Sequence, residues 1–438
     1  MERALAAIVG DEWVQEPPAS VAELEGVRPR FVVSPGSPAE VAEVLRLASA
    51  ERWAVLPTGS GCLLGLGNPP RAGDLWLSTR RLAAITEYEP ADLTAAVQGG
   101  CTLGALNGHL AGHHQVLPWD PPGGAARTVG GIAATGRVGP LRLGFGQPRD
   151  WVIGIEAATV EGKLIRAGGR VVKNVAGYDL TRLFVGSLGT LGVITQLNVR
   201  VRPQPATELT GVITGPDRAG LWALARAAIE SYVMPVAMEL LSPEAARACG
   251  FDPFGRDDML CVRVAGEEAD VRDQILRLEK LAADRNLDMA DQVPRDDVGR
   301  FWTAVADLPL SAGAQVALRL SVPPSRLEAT AAVTVGALAQ LMEEAAWAAS
   351  PPLGTLWVLL GGPLGDRRVE ELATKVAQVR AACVADGGSL VVARAPLALK
   401  RQLDVWGPAG TSERLMRAMK RVFDPDGLLN PGRFVAGL

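Results

Sequence analysis

Three glycines at intervals of three residues constrain the fold of this chain more than any other feature of its sequence. Gly186, Gly189 and Gly192 stand in the stretch GSLGTLG, directly before the apolar run Val193 to Val201. Because glycine has no Cβ, the backbone here can approach a partner closely and leave its N–H groups free. The stretch predicts a loop that leads into a strand and lies against the edge of a bound nucleotide or flavin.

A second glycine-rich turn is predicted at the end of a β-α-β unit. The strand RFVV begins at Arg30, Ser37 and Pro38 start a helix with one apolar face, and WAVLP returns as a buried strand. The turn Thr58 to Gly61 follows, where consecutive N–H groups can point at a diphosphate; an ordinary turn is the alternative. Neither GK[ST] nor a GxGxxG that opens a helix is present here, which disfavours ATP or NAD binding through those folds.

A third cluster lies between Leu117 and Ile165. Gly130 and Gly131 start a helical run of small residues, and its N-terminus is placed to face a diphosphate or a flavin ring. Tight packing is the alternative use of small residues. A pair of strands, Val152 to Val160 and Lys163 to Ala167, then leads back to the GSLGTLG stretch.

Length and charge exclude several classes of protein. A chain of 438 residues predicts two or three domains, and a net charge of -4 without a cluster of Lys and Arg argues against nucleic-acid binding. The N-terminus lacks an apolar stretch suited to export, so no signal peptide is expected. The charge-poor run Ala345 to Gly365 is interrupted by Pro351-Pro352 and Gly361-Gly362, which predicts helix, turn and strand rather than a transmembrane segment.

Cysteine and histidine spacing predicts neither disulfides nor a metal site. The five cysteines form no CxxC pair, which fits reduced thiols in the cytoplasm. His109 and His113 stand four residues apart on a helix capped by Thr102, a spacing that permits metal binding. No cysteine or acidic partner lies near them in the sequence, so no metal ligand is predicted.

Four elements in order over residues 30 to 201 resemble the flavin-binding domain of FAD-linked oxidases of the vanillyl-alcohol oxidase (PCMH) type. The shared pattern of that family reads close to GSEGTLGVIT, and Leu188 replaces its acidic residue. A TxGGxxA segment is followed by RDxVxGxE, here Arg149 to Glu156. The run KNVAGYDLTRL, Lys173 to Leu183, is similar to the second of the two FAD-binding subunits of bacterial glycolate oxidases.

The resemblance implies a site for FAD, held without a covalent bond because no histidine occurs in the loop after Pro57. The ending FDPxGxLNPGRF resembles the tail of the family and places Arg433 and Trp406 near the isoalloxazine ring, where a cation stabilises reduced flavin. No catalytic residue is assigned. The implied FAD contacts are Pro57, Thr58, Gly59, Ser60, Gly61, Cys62, Thr128, Gly130, Gly131, Thr135, Gly136, Gly189, Thr190, Gly192, Ile194 and Arg433.

The predicted fold class is α+β. It combines a PCMH-type FAD-binding domain of two α/β subdomains, a ferredoxin-like cap domain with an antiparallel sheet, and a C-terminal tail that returns to the FAD domain. Strand and helix patterns alternate in the cap, with a helix predicted from Ser325 to Trp347. The predicted boundaries are 1–29 for an N-terminal segment, 30–205 for the FAD domain, 206–396 for the cap and 397–438 for the tail.

Three functions are compatible with this resemblance. The first is the FAD subunit of a glycolate or related 2-hydroxy-acid oxidase, in complex with a larger flavin subunit and an iron-sulfur subunit, in the cytoplasm or at the inner face of the membrane through those partners. The others are a stand-alone D-2-hydroxy-acid (D-lactate-type) dehydrogenase and a non-catalytic scaffold stabilised by flavin. Metal-assisted members carry clustered histidines in the cap, whereas all three histidines here precede residue 115, which favours the first function.

Overall fold

The computed structural model of the chain describes residues 1–17, 25–169, 179–250, 257–342 and 344–438. They fall into two compact units. The first comprises Met1–Val138, Gln147–Pro203 and Pro408–Leu438, and the second comprises Gly139–Gly146 and Gln204–Gly407. The predicted boundaries placed 139–146 in the FAD domain and 397–407 in the tail, whereas the structure places both segments in the second unit. The KNVAGY part of the glycolate-oxidase motif, 173–178, lies outside the described residues.

The helices and strands up to Pro203 are α1 (Glu2–Val9), β1 (Val14–Gln15), β2 (Phe31–Val33), α2 (Pro38–Ala50), β3 (Val55–Thr58), β4 (Leu75–Ser78), β5 (Ile85–Glu89), β6 (Thr94–Gln98), α3 (Leu103–Leu110), β7 (Gln115–Val116), α4 (Val129–Thr135), α5 (Arg142–Phe145), α6 (Pro148–Trp151), β8 (Val152–Ala158), β9 (Leu164–Gly168), α7 (Leu180–Phe184), β10 (Val193–Arg200) and β11 (Arg202–Pro203).

The remaining helices and strands are β12 (Thr207–Gly215), α8 (Arg218–Glu230), β13 (Ala237–Leu241), α9 (Pro243–Ala248), β14 (Asp258–Gly266), α10 (Glu268–Ala283), β15 (Asp288–Val293), α11 (Val298–Asp307), β16 (Val316–Ser321), α12 (Pro324–Ala339), β17 (Glu344–Ser350), β18 (Thr355–Gly361), α13 (Asp366–Ala385), β19 (Ser389–Arg394), α14 (Leu397–Lys400) and α15 (Glu413–Phe423).

The predicted β-α-β opening is confirmed in the first unit. Its four-stranded sheet has the order β1-β2-β4-β3, with β2, β4 and β3 parallel. The Ser37 hydroxyl accepts a hydrogen bond from the Glu40 N–H at 3.2 Å, which caps α2. Val41, Val44 and Leu45 on one face of α2 are buried, as their spacing predicts. Local sequence signals are therefore sufficient to define this layer.

A second sheet in the first unit is antiparallel, with the order β5-β6-β10-β8-β9. Its middle strand, β10, follows the glycine-rich stretch and alternates buried Leu197 and Val199 with partly exposed neighbours. The predicted pair Val152 to Val160 and Lys163 to Ala167 forms β8 and β9, and Gly162 turns between them with φ +76°. The strand after GSLGTLG is thus the centre of this sheet.

The second unit contains an eight-stranded sheet of the order β15-β12-β14-β13-β17-β18-β16-β19, in which all neighbours are antiparallel. Apolar residues of α8, α10, α12 and α13 pack in one core, and those of α9 and α11 pack in another. Together with the first unit, this sheet confirms the predicted α+β class and the predicted antiparallel sheet of the second domain.

The predicted helix from Ser325 to Trp347 is wrong at its C-terminal end. Helix α12 ends at Ala339, and β17 occupies Glu344–Ser350 between β13 and β18. The alanines of β17 favour a helix by propensity, but pairing with two neighbouring strands satisfies the backbone N–H and C=O groups of a buried segment, and Trp347 is only 4% exposed. The run Ala345 to Gly365 is therefore strand, turn and strand.

Within the described parts of the chain, no helix combines the length and the apolar character that crossing a bilayer requires.

Candidate cofactor site

One cavity of the first unit brings together most of the predicted FAD contacts. It encloses about 720 Å³, including the solvent at its mouth, and is formed by the loop after β3, helix α4, the loop before β10 and the C-terminal tail. The predicted residues that line it are Pro57, Thr58, Gly59, Ser60, Gly61, Cys62, Gly130, Gly131, Thr135, Gly189, Gly192, Ile194 and Arg433. Residues far apart in sequence thus converge on one site.

Three predicted contacts, Thr128, Gly136 and Thr190, are not among the residues that line the cavity. Thr128 is 1% exposed, and a Cβ built on Gly59 would lie 2.0 Å from its hydroxyl oxygen, so the loop after β3 packs directly against it. Thr190 donates its buried hydroxyl to the Ser187 carbonyl at 2.7 Å. Gly136 ends α4 with a left-handed φ of +61°. In the structure these residues hold the walls together.

The loop after β3 has the arrangement that binds an anion. Within the residues described, the amide N–H groups of 59–62 donate no hydrogen bond. The Arg80 guanidinium binds the opposite side of the loop, donating to the carbonyl oxygens of Gly59 at 3.2 Å and Ser60 at 2.8 Å. Because C=O and N–H of one peptide unit point in opposite directions, Arg80 turns the N–H groups of Ser60 and Gly61 away from itself. Four free amides in sequence suit the diphosphate of FAD.

Replacing Arg80 with methionine is expected to weaken FAD binding, since the carbonyls of Gly59 and Ser60 lose the guanidinium that orients them. The loss of two hydrogen bonds from a charged donor to an exposed loop predicts about a tenfold rise in the dissociation constant. Titration of the apoprotein with FAD, followed by flavin fluorescence, measures it. An exposed arginine of another loop, Arg30, supplies the control Arg30→Met, for which no change is expected. Equal affinities of both variants would contradict a role for Arg80.

The N-terminus of α4, predicted to face a diphosphate or a flavin ring, has the amides of its first three residues bonded within the protein. The N–H of Val129 donates to the Cys101 carbonyl and that of Gly130 to the Gly99 carbonyl, both at 2.9 Å. The N–H of Gly131 donates to the Thr128 hydroxyl at 3.3 Å. Carbonyls from another loop therefore saturate the first turn, and α4 contributes a wall rather than an anion site.

The glycine-rich loop before β10 is also partly saturated. The Gly186 N–H, predicted to be free, donates to the Ala133 carbonyl at 2.8 Å, and the Leu188 N–H donates to the Ala134 carbonyl at 2.7 Å. The glycines are nevertheless required by geometry: Gly189 adopts φ +69°, and a Cβ on Gly192 would lie 2.8 Å from the Ala158 carbonyl oxygen. This loop is held against α4 and β8.

The C-terminal tail closes the cavity. Asn430 donates its side-chain amide to the Leu188 carbonyl at 2.6 Å. The Arg433 guanidinium, 3% exposed, donates to the carbonyls of Leu64 and Leu66, the latter at 2.8 Å, and burial lowers its pKa to about 10. Arg433 lines the cavity and fastens the loop after β3 to the tail. Trp406, the other predicted tail residue, packs against the larger core of the second unit.

Sequence reasoning missed several residues of the cavity wall, namely Leu63, Leu64, Thr79, Arg127, Ala134, Leu188, Val193 and Asn430. Most of them neighbour a predicted contact, so adjacency was an available signal. Arg127 and Asn430 are polar and buried, and each stands inside or beside a motif that was recognised by its glycines. Arg80 had no such signal, because it follows another strand, β4, and belongs to none of the recognised motifs.

His109 and His113 contact an aromatic ring. Both imidazoles pack edge-on against Tyr88, with ring centroids 5.3 and 5.5 Å away. Among the described residues, no cluster of three His, Cys, Asp or Glu side chains is arranged to hold a metal ion. The observed contact of the two histidines is thus aromatic packing.

Residues 29–168 match the family described as FAD binding domain, and residues 404–434 match the C-terminal domain of FAD linked oxidases. These two matches identify an FAD-binding domain and a C-terminal segment of the FAD linked oxidase type in the chain, and they support FAD as its cofactor. The free amides of 59–62 and the buried cations at the cavity fit the charge of that cofactor.

Curated relatives include 2-hydroxy-acid enzymes. The chain is 38% identical to glycolate oxidase subunit GlcD of Bacillus subtilis over 182 residues, 42% of this chain and 39% of that protein. It is 38% identical to subunit GlcE of Escherichia coli over 169 residues, 38% of this chain and 48% of that protein. These matches span less than half of either relative. A D-2-hydroxyglutarate dehydrogenase of Xanthomonas citri is 26% identical over 92% of this chain and 89% of its own length.

Solved structures establish the fold. A p-cresol methylhydroxylase with bound substrate superposes with a TM-score of 0.78 at 16% identity, covering 98% of this chain and 95% of the other. An alkyldihydroxyacetonephosphate synthase has a TM-score of 0.69 at 17% identity, covering 93% and 78%. The PCMH-type fold predicted from the glycine motifs is confirmed.

Proposed function

We propose that this chain is an FAD-binding subunit of a glycolate (2-hydroxy-acid) oxidase complex and that it passes electrons through non-covalently bound FAD. The observation that carries the proposal is the convergence of the predicted flavin contacts on one cavity, in a chain whose relatives include two glycolate oxidase subunits. Its proposed partners are a larger flavin subunit and an iron-sulfur subunit. A cytoplasmic location, or one at the inner face of the membrane through those partners, belongs to the same proposal.

The chain's own residues explain binding better than catalysis. When bound, FAD accepts a hydride equivalent from a donor. The amides of 59–62 are proposed to bind its diphosphate, and Asn430 and Arg433 keep the surrounding loops in place. Oxidation of a 2-hydroxy acid also needs a base at the hydroxyl and a cation at the carboxylate. The cap sequence contains no histidine that could supply the base, and this favours a role beside a catalytic partner.

A stand-alone D-2-hydroxy-acid dehydrogenase is the second candidate. The match to D-2-hydroxyglutarate dehydrogenase runs through both units of the structure, whereas the glycolate oxidase matches cover about two fifths of the chain. An arginine on a cap strand, Arg319 of β16, offers a candidate carboxylate ligand in this alternative.

Anaerobic mixing of the purified chain with glycolate, D-lactate or D-2-hydroxyglutarate distinguishes the two candidates. We expect slow loss of the flavin absorbance with each acid, because no base is identified in the cap. Addition of dithionite should bleach the flavin at once and serves as the control for a reducible cofactor. Rapid bleaching by one of the acids, with no other subunit present, would support the stand-alone dehydrogenase instead.

The FAD is expected to be released by acid precipitation. The loop 57–67 has no histidine, and Cys62, although exposed, is its only thiol. Free flavin should therefore appear in the supernatant, as measured by its absorbance. A pellet that keeps its yellow colour in the wild type but loses it in Cys62→Ser would show a thioether bond and contradict the expectation.

A further inference from the structure

A diphosphate in the cavity carries negative charge, and the loop after β3 provides amide dipoles for it but no full positive charge. The first turn of α4, whose cap Thr128 packs against that loop, has its N–H groups bonded to Cys101, Gly99 and Thr128. Placing two phosphate charges in a site of low polarity without a compensating charge is strongly unfavourable. A buried positive charge beside the loop therefore favours diphosphate binding, in addition to Arg433, which binds the carbonyls of Leu64 and Leu66 further along the chain.

Arg127 occupies that position. It is 2% exposed and lines the cavity. Its Nη1 donates to the Pro122 carbonyl at 2.9 Å, and its Nη2 lies 3.3 Å from the Gly131 carbonyl and 3.2 Å from the Thr135 hydroxyl. Arginine stays protonated in proteins, so the wall beside α4 carries a buried positive charge.

The packing of Arg127 brings it close to the loop with the free amides. A Cβ built on Gly123, which has φ +90°, would lie 3.1 Å from both the Arg127 Cδ and the Cys62 Cβ. The stem of Arg127 and the end of the loop 59–62 thus pack on the same glycine. The Arg127 backbone is fixed as well, because its carbonyl accepts the Leu103 N–H at 2.8 Å.

We propose that Arg127 is a cation that stabilises the diphosphate of FAD, beside the free amides of the loop after β3. The proposal deepens the assignment of this cavity to FAD and rests on it. A guanidinium stays charged when buried and is easier to bury than an ammonium group, so Arg127 can attract the phosphates while its Nη groups hold Pro122, Gly131 and Thr135. Arg127 is then a cofactor-binding residue in addition to a brace for α4.

The test compares the affinities of the full-length apoprotein for FAD and for ADP, which carries the diphosphate without the flavin ring. Arg127→Met is expected to raise both dissociation constants by the same factor, about tenfold to a hundredfold. Arg127→Lys, which keeps the charge, is expected to restore part of the loss for both ligands. The midpoint potential of flavin bound to Arg127→Met at saturating FAD should equal that of the wild type.

A matched control is Arg380→Met. Arg380 belongs to the second unit, donates to the carbonyls of Leu390 and Val405 at 3.2 Å, and is not among the residues lining the cavity. Its variant should keep both affinities.

The following results would overturn the proposal: unchanged ADP binding in Arg127→Met, a weaker FAD affinity accompanied by a lower potential, or equal losses in the methionine and lysine variants. The first two place Arg127 away from the diphosphate, and the third indicates a brace without a charge role. Wild-type protein that fails to bind FAD would instead contradict the assignment of the cavity.

Discussion

Replacing Asp424 with alanine is expected to lower the free energy of unfolding of the first unit by about 3–5 kcal/mol and to release FAD. The Lys420 ammonium group donates to Asp424 Oδ2 at 2.6 Å and to the carbonyls of Thr190 and Leu429 at 2.8 and 2.9 Å. The side chains of Lys420 and Asp424 are 9% and 0% exposed. Without the carboxylate, a buried cation loses its counter-charge.

The loss of FAD follows from the other contacts of Asp424. Its carboxylate accepts the N–H groups of Leu428 and Leu429 at 2.9 and 2.7 Å, directly before Asn430 and a few residues before Arg433. These bonds position the residues that close the cavity. Burial also lowers the Lys420 pKa, opposed by the attraction of Asp424, so removing the acid lowers that pKa further and favours a neutral amine.

Urea denaturation of the apoprotein and flavin retention on gel filtration measure the two effects. The control is Glu413→Ala on the same helix, which breaks the half-exposed pair Glu413–Arg417 and is expected to change stability by less than about 1 kcal/mol. A double variant, Lys420→Met with Asp424→Leu, should be more stable than Asp424→Ala, because neither buried charge remains. Wild-type stability and flavin content in Asp424→Ala would show that the tail does not depend on this pair.

Gly130→Ala is expected to destabilise the first unit by about 1–3 kcal/mol and to weaken FAD binding by about tenfold or more. A Cβ on Gly130 would lie 2.7 Å from the Gly99 carbonyl oxygen and 2.9 Å from its Cα. Both are backbone atoms, so a rotamer change cannot relieve the overlap. Helix α4 has to move away from Gly99, and the wall formed by Gly131 and Thr135 moves with it.

The matched control is Gly108→Ala in α3, where a Cβ would meet no atom within 4 Å. Alanine is favoured over glycine inside a helix by about 1 kcal/mol, so this variant should be slightly more stable and keep FAD. Thermal unfolding and FAD titration distinguish the pair. If Gly130→Ala binds FAD as tightly as Gly108→Ala does, the contact between α4 and Gly99 has no bearing on the cofactor site.

Features predicted correctly depend on local chemistry. The helix start at Ser37, the strand after the GSLGTLG stretch and the strand pair β8 and β9 each follow from a few neighbouring residues. The turn at 58–61 also follows from local sequence, since small residues come directly after a buried strand. The family resemblance then extended these local signals to a site.

The amino-acid sequence by itself determined the order of most elements, the glycines without which the loops cannot approach α4 and β8, and the FAD cofactor through its motifs. Only the tertiary structure decided which amides remain free: the α4 amides are saturated by carbonyls of Gly99 and Cys101, about thirty residues earlier in the chain. It also decided that β17 is a strand, because two neighbouring strands outweigh alanine propensity. Tertiary contacts likewise decided that Arg80 donates to the carbonyls of the loop 59–62 and that Arg433 donates to those of Leu64 and Leu66. Charge and hydrogen-bond partners depend on long-range packing, and a pattern of neighbouring residues does not contain that information.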